Sequence, residues 1–309
     1  MRTTFVRTLV ELAERDARIV LLTGDLGFNA LEPFADRFPD RFYNAGVAEQ
    51  NMVGMATGLA EAGFKPYVYS IATFAALRPY EFIRNGPIHH ELPVRIVGMG
   101  GGFEYDTAGP SHYALEDIGV MRVQPGIAVI APADPAQAET AVRETSDFPG
   151  PIYYRIGKND KAVVTGLDGR FTLGGAEVLR HGDDLAFVAM GSIATEVVDA
   201  ANLLEARGIH PTVVVVASVT PPPTADLVDV LSRVPLVVTA EAHYINGGVG
   251  SLVAETIAEH GLACRLVRRG VRGGQQGLSG SQRYLYDLHG LSADALARAT
   301  LEALQLASR

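Results

Sequence analysis

The segment Asn44–Asn51, Asn-Ala-Gly-Val-Ala-Glu-Gln-Asn, holds the residue combination in this chain best suited to proton chemistry. A small-residue turn delivers Glu49 to the start of an apolar-periodic stretch, with Met52, Val53, Ala56, Leu59 and Ala60 at helical spacing behind it. The pattern predicts Glu49 in the first turn of a largely buried helix. A carboxyl group kept dry at such a place can act as a proton partner. The plainer alternative is a helix N-terminal Glu favoured by the helix dipole. His112 follows a Gly109-Pro110 turn in a glycine-bearing loop. It is either a solvated loop side chain or a group placed to move protons near neutral pH. Asp25 follows Gly24 after a short apolar run. That is a turn residue, or a ligand contact at the strand end where open α/β sheets bind. No set of His, Cys or carboxylate residues has metal-ligand spacing.

The elements that must position these groups alternate. Ile19–Thr23, Arg41–Asn44, Lys65–Ser70, Val94–Met99, Ala128–Ala131 and Ile152–Arg155 read as strands. Phe5–Ala13, the Glu49 helix, Phe74–Asn85 (interrupted at Pro79), Tyr113–Met121 and Pro135–Glu144 read as helices, the last with Asp134 as N-cap. Residues 158–175 are polar and without a long apolar period. A second alternating set follows, from Leu185–Met190 to a last helix at Ala293–Leu306. Alternation of this kind predicts parallel sheets covered on both faces. The expected fold is α/β, two doubly wound domains at residues 1–160 and 173–309, joined by a linker at 161–172.

Composition narrows the function. The chain has 309 residues and a net charge of -9 without a basic cluster, which argues against nucleic acid as a partner. One cysteine, Cys264, allows no internal disulfide and favours a cytoplasmic setting. Residues Met1–Arg18 lack a signal-peptide core, and the longest aliphatic run, Val213–Ala217, is too short to span a bilayer.

Several blocks in order resemble transketolase and its thiamine-diphosphate relatives. They are Thr23-Gly24-Asp25-Leu26, Gly46–Asn51, Tyr69–Phe74, Gly109–His112 with Ala114–Asp117, Pro151–Gly157 and Glu241–Gly250. The resemblance covers nearly the whole chain. It implies a pyrimidine-binding domain followed by a transketolase-type C-terminal domain. It also implies that Glu49 lends a proton to the coenzyme's aminopyrimidine, that Phe74 and Tyr80 form its wall, and that Asp25 lies close by. By the same resemblance His112 hydrogen-bonds the substrate oxygen, Arg155 grips a sugar phosphate, and Arg2 is a second phosphate-binding arginine. Each of these has a bland counterpart, core packing for the aromatics and a surface cation for the arginines.

The Gly-Asp-Gly motif that holds the diphosphate and Mg²⁺ in full-length transketolases is absent; Gly24-Asp25-Leu26 lacks its second glycine. The chain therefore resembles the C-terminal half of a split transketolase. The implied partner is an N-terminal-half subunit carrying the diphosphate and Mg²⁺, in an α₂β₂ assembly. The implied reaction is two-carbon ketol transfer between sugars or sugar phosphates. Where transketolases place a hydroxyl-reading aspartate and a phosphate-contacting histidine, this chain has Ala108 and Gly100. The rival readings are a 2-oxo-acid-using enzyme (a dehydrogenase E1 β subunit or a deoxyxylulose-phosphate-synthase type), transfer to a nucleotide-linked sugar, and a scaffold without turnover.

Overall fold

The computed structural model describes residues 1–274 and 278–307. Strands β1 (Ile19–Thr23), β2 (Phe42–Asn44), β3 (Lys65–Ile71), β4 (Arg95–Met99), β5 (Ala128–Ile130) and β6 (Ile152–Ile156) come from the first half. From the second half come β7 (Glu177–Arg180), β8 (Leu185–Met190), β9 (Pro211–Val215), β10 (Ser218–Thr220), β11 (Leu236–Tyr244) and β12 (Arg265–Val271). They form a seven-stranded sheet in the order β10-β5-β6-β4-β3-β1-β2 and a five-stranded sheet in the order β12-β11-β8-β9-β7. Within the sheets β10 and β7 run antiparallel to their neighbours and the other pairings are parallel. Most of the parallel strands are buried along their length, as coverage on both faces requires.

The first-half helices are α1 (Arg2–Arg15), α2 (Glu32–Arg37), α3 (Glu49–Glu61), α4 (Ala72–Leu77), α5 (Tyr80–Ile83), α6 (Asp117–Arg122) and α7 (Pro135–Glu144). The second-half helices are α8 (Ala194–Glu205), α9 (Thr224–Leu231), α10 (Val249–His260), α11 (Gln282–His289) and α12 (Ala293–Ala307). One apolar cluster packs α1 and α7 on the first sheet through Phe5, Leu9, Ala138 and Val142. A second is continuous between the halves, joining Leu22, Met52, Val68 and Ile96 to Val188, Val214 and Leu252. A third, under α8 and α12, takes in Phe103, Tyr113 and Leu115 from the loop that carries His112.

Both halves are α/β, and Pro79 separates two short helices as its missing N–H demands. Three features differ from the sequence reading. The helix expected from Tyr113 starts at Asp117, because Ala114 pairs with Gly102 and is held extended. Helix α11 is short and amphipathic, burying Leu285 and Tyr286 among polar residues, and no element is predicted there. Strand β10 lies beyond the expected boundary yet pairs with β5, so the first sheet is completed by the second half of the chain.

Buried ionisable side chains line the junction. Asp117 pairs with Arg155 at 3.2 Å and accepts from the Tyr153 hydroxyl at 2.7 Å. Arg155 donates to the carbonyls of Ala114 (2.5 Å) and Ala242 (2.9 Å), one from each half. The Glu241 carboxylate caps α10, accepting from the N–H groups of Val249 and Gly250. Burial nevertheless pushes its pKa up to about 7. His243 accepts from the Gly119 N–H at Nε2, so its proton sits on Nδ1, facing the Tyr244 carbonyl. Burial brings its pKa down to about 4.

Glu241 and His243 predict opposing pH effects on stability. A carboxyl raised in the folded state binds more protons folded than unfolded, so Glu241 costs stability as pH rises from about 4.5 to about 7. A histidine lowered in the folded state costs stability as pH falls from about 6.5 to about 4. Urea denaturation of Glu241→Gln between pH 5 and 8 should therefore lose the alkaline-side decline of the parent protein, on the order of 3 kcal/mol, and keep the acid-side decline. A parallel decline in both proteins would show that Glu241 does not titrate in this window.

Candidate active site

Glu49 is the first residue of α3, after Ala48, and its side chain is 1% exposed. The turn before it is set by Asn44. The Asn44 carboxamide oxygen accepts from the N–H groups of Asp25 and Gly46, and its nitrogen donates to the Asp25 carboxylate at 2.9 Å. This clip joins the ends of β1 and β2 and presents the helix start. Asp25 itself is exposed and has a φ of 57°, a conformation that Asp tolerates better than most residues.

Both Glu49 oxygens accept from one guanidinium nitrogen of Arg78, at 2.8 and 2.9 Å, and the Ser70 hydroxyl donates to Oε1 at 3.2 Å. The Arg78 guanidinium lies 3.7 Å from the centroid of the Phe74 ring. A flat, N–H-bearing group thus fills the space between a buried carboxylate and an aromatic face. Phe74 meets His112 edge-on at 5.2 Å between ring centroids. The Ser111 hydroxyl lies 3.0 Å from His112 Nδ1. On its other side His112 tilts against Tyr105 at 5.8 Å, and the Lys158 ammonium stands 4.1 Å from the Tyr105 centroid. Burial pushes the Tyr105 hydroxyl up to about 12, against the opposing field of Arg2.

Position 100 has no room for a side chain. Gly100 has a φ of +75°, and a Cβ there would lie 2.3 Å from the Tyr105 ring and 3.1 Å from Lys158. Tyr105 and the Lys158 stem fill the space that a side chain at position 100 would use. Ala108 is exposed. Asp106 does not take the place of the missing aspartate: its carboxylate accepts from the Gln282 N–H at 2.6 Å and so anchors α11.

Glu49, Phe74 and His112 therefore share one line of contacts. Arg155 belongs to another group. It is 6% exposed, and its donors face Asp117, Ala114 and Ala242. Lys158 reaches the His112 loop over the Tyr105 ring, held by its own N–H on the buried Glu104. Arg2 is half-buried at the start of α1 and makes no ion pair among the described residues. The Tyr80 hydroxyl turns to α6, donating to the Val120 carbonyl at 2.8 Å and accepting from Gln124.

Arg78, Ser70, Tyr105 and Lys158 escape the sequence reading. Arg78 had a usable signal, since it stands one helical turn beyond Phe74, where a cation can cover the ring. Removing Arg78 should leave the Glu49 charge held by Ser70 alone. Arg78→Gln is expected to lower stability by about 1–3 kcal/mol. In thermal melts of a double-mutant cycle, the penalty should shrink once Glu49→Gln is already present. Additive effects would mean that the pair is not coupled.

Comparisons with known proteins agree with this architecture. Residues 1–161 match the transketolase pyrimidine binding domain family, and residues 174–296 match the transketolase C-terminal domain family. A subunit of the apulose-4-phosphate transketolase of Actinobacillus succinogenes is 38% identical over 266 residues, 86% of each chain. A 6-deoxy-6-sulfo-D-fructose transketolase subunit of Clostridium sp. (strain MSTE9) is 34% identical over 98% of this chain and 94% of its own. Among solved structures, a split gene transketolase described as an inactive beta4 tetramer superposes with a TM-score of 0.87, at 37% identity over 99% of this chain and 98% of that one. With both domain families matched in order and relatives of this identity aligned along most of its length, the chain belongs to the transketolase family.

Proposed function

We propose that this chain is one half of a two-subunit, thiamine-diphosphate-dependent transketolase-type enzyme, moving a two-carbon ketol unit from a ketose donor to an aldehyde or ketone acceptor. The observation that carries the reading is the unbroken line of contacts from Glu49 through Arg78, Phe74, His112 and Tyr105 to Lys158. It runs from a buried carboxylate to a cation, with an aromatic wall and a histidine between.

The residues fit the coenzyme's aminopyrimidine. The flat guanidinium of Arg78, held between the Glu49 carboxylate and the Phe74 ring, supports this reading, since it is itself a planar N–H-bearing group. Bound thiamine diphosphate would supply the stabilised carbanion that carbon–carbon cleavage needs. Glu49 would hold the proton exchanged with a ring nitrogen, and its burial keeps water from competing for it. Phe74 would offer the ring face. His112, with Nδ1 facing Ser111, keeps Nε2 for a substrate oxygen. Asp25 and Tyr80 serve as positioning residues, through the Asn44 clip and the tie to α6.

At the far end Lys158 and Arg2 replace Arg155 as the cations for an anionic substrate group. Relatives named for phosphate and sulfonate sugars favour such a group. The diphosphate and Mg²⁺ would be held mainly by an N-terminal-half partner, in an α₂β₂ assembly working in the cytoplasm. Support for a partner comes from the exposed face of α3, where Asn51, Gly54, Met55 and Gly58 are uncovered and a Cβ at either glycine would meet nothing within 4 Å among the described residues outside the helix backbone. Among the described residues no helix is long and apolar enough to cross a membrane.

In the enzyme reconstituted with its partner subunit, Glu49→Gln should lower turnover by roughly a hundredfold or more while gel filtration shows unchanged assembly. Undiminished turnover would remove the proton-relay role. Lys158→Gln should raise KM for phosphorylated substrates about tenfold and leave kcat close to the parent value, since it acts on binding in ground and transition states alike. A KM unchanged by the substitution would place the anion elsewhere. Release of CO₂ from pyruvate would favour the 2-oxo-acid reading instead.

A further inference from the structure

A second cationic hollow lies away from the Glu49–His112 line, in the second half of the molecule. It opens between the end of β12 and the end of α11, has a volume of about 280 Å³, and is lined by Arg268, Arg269, Gly270, Arg272, Leu288 and His289. Among the described residues no carboxylate lines it, in a chain whose net charge is -9. An adjoining hollow of about 350 Å³ shares Arg269, Leu288 and His289 and is also lined by Arg298, Asp287 and Glu302. Asp287 is already paired with Arg283.

The donors around the first hollow are not consumed by the fold. Arg268 donates to the Ile245 carbonyl, Arg269 to the Gly290 carbonyl and Arg272 to the Arg268 carbonyl, and none of the three is in an ion pair among the described residues. Among the described residues the buried atoms Arg269 Nε and His289 Nε2 have no hydrogen-bond partner. Such donors are costly to leave unmade. Burial and the neighbouring Arg272 both work against the Arg269 charge, with Glu302 opposing them. Arg269 and Arg272 are close enough to disfavour one another's charge, only Glu302 offsets this at Arg269, and arginines without an ion-pair partner among the described residues suit a compact oxyanion such as phosphate.

The same helix touches the active-site loop at both ends. The Gln282 N–H donates to Asp106 at the start of α11, and at its end the His289 ring stacks on Phe103 at 5.2 Å, nearly parallel at 8°. Phe103 also meets Tyr113 edge-on, so it is packed on both sides of the segment that holds Tyr105 and His112.

We propose that the Arg268–Arg269–Arg272 hollow is a second anion site, taking a small organic phosphate, and that its occupancy is transmitted through His289 and Phe103 to the loop bearing Tyr105 and His112. The site is an effector site. It binds no reacting group, and it does not depend on which ketose or acceptor the catalytic line uses.

The test is calorimetric titration of the full chain with inorganic pyrophosphate at fixed ionic strength, paired with amide hydrogen exchange over residues 103–112. One saturable site is expected. Arg269→Gln should weaken binding about tenfold or more, and Arg272→Gln, at an exposed position that leaves the fold intact, several-fold. Lys158→Gln should leave this binding in place, and bound pyrophosphate should slow exchange in the loop. No saturable binding, unchanged affinity in Arg272→Gln, or loss of binding in Lys158→Gln would overturn the site. Binding lost in Arg272→Gln with loop exchange unaffected by pyrophosphate in the parent protein would overturn the coupling. None of these readouts requires a partner subunit or turnover, so failure of the proposed catalytic function leaves them interpretable.

Discussion

One guanidinium holds the geometry on which the rest depends. Arg155 leaves the end of β6 and divides its donors between Asp117, the Ala114 carbonyl and the Ala242 carbonyl. The first two belong to the segment just after His112, and the third to the second sheet. A charge this deeply buried is tolerable only when it is paired and hydrogen-bonded, so the contacts enforce one another. Phe103, Tyr113 and Leu115 then pack into the core of the second half. The loop that carries His112 is therefore anchored at several points along its length, and its histidine is positioned by two domains at once. Support of that kind fixes a side chain to within a fraction of an ångström, which the proposed role of His112 requires.

The Lys158 end of the line rests on a fitted pair of residues. Gly100 and Tyr105 form a complementary pair, since the glycine's open space is where the tyrosine ring lies. Lys158 crosses that ring and is fixed through its backbone to Glu104, which accepts from Ser192 of the second half at 2.6 Å. The polarity of this end thus comes from an aromatic hydroxyl and an ammonium group. Neither stands at a position where the family pattern would lead one to look.

The α/β alternation, the Pro79 break and the placement of Glu49 at a helix start could all be read from local pattern. Each rests on a short stretch of chain whose periodicity or backbone chemistry has few solutions. Phe74 and His112 needed the family resemblance, because a lone aromatic or loop histidine carries no address. Arg155 and Lys158 show the limit of local reading. Both are cations near the same strand end, three positions apart, and only the fold decides which one turns inward to Asp117. Helix α11 and strand β10 went unseen for a related reason. The first is an eight-residue amphipathic helix held by Asp106 and Phe103, and the second is a three-residue strand held by β5; both are too short to stand out locally, and their stability lies in partners distant in sequence.

The pairing of β10 with β5 has a consequence for how such a protein can be divided. A break in the segment between the two sheets would leave β5 as a bare edge, with its N–H and C=O groups open to any passing strand. The seam between the halves is therefore sewn by the backbone as well as by side chains. Cutting there would trade a finished margin for a sticky one, which makes the two lobes poor candidates for separate life.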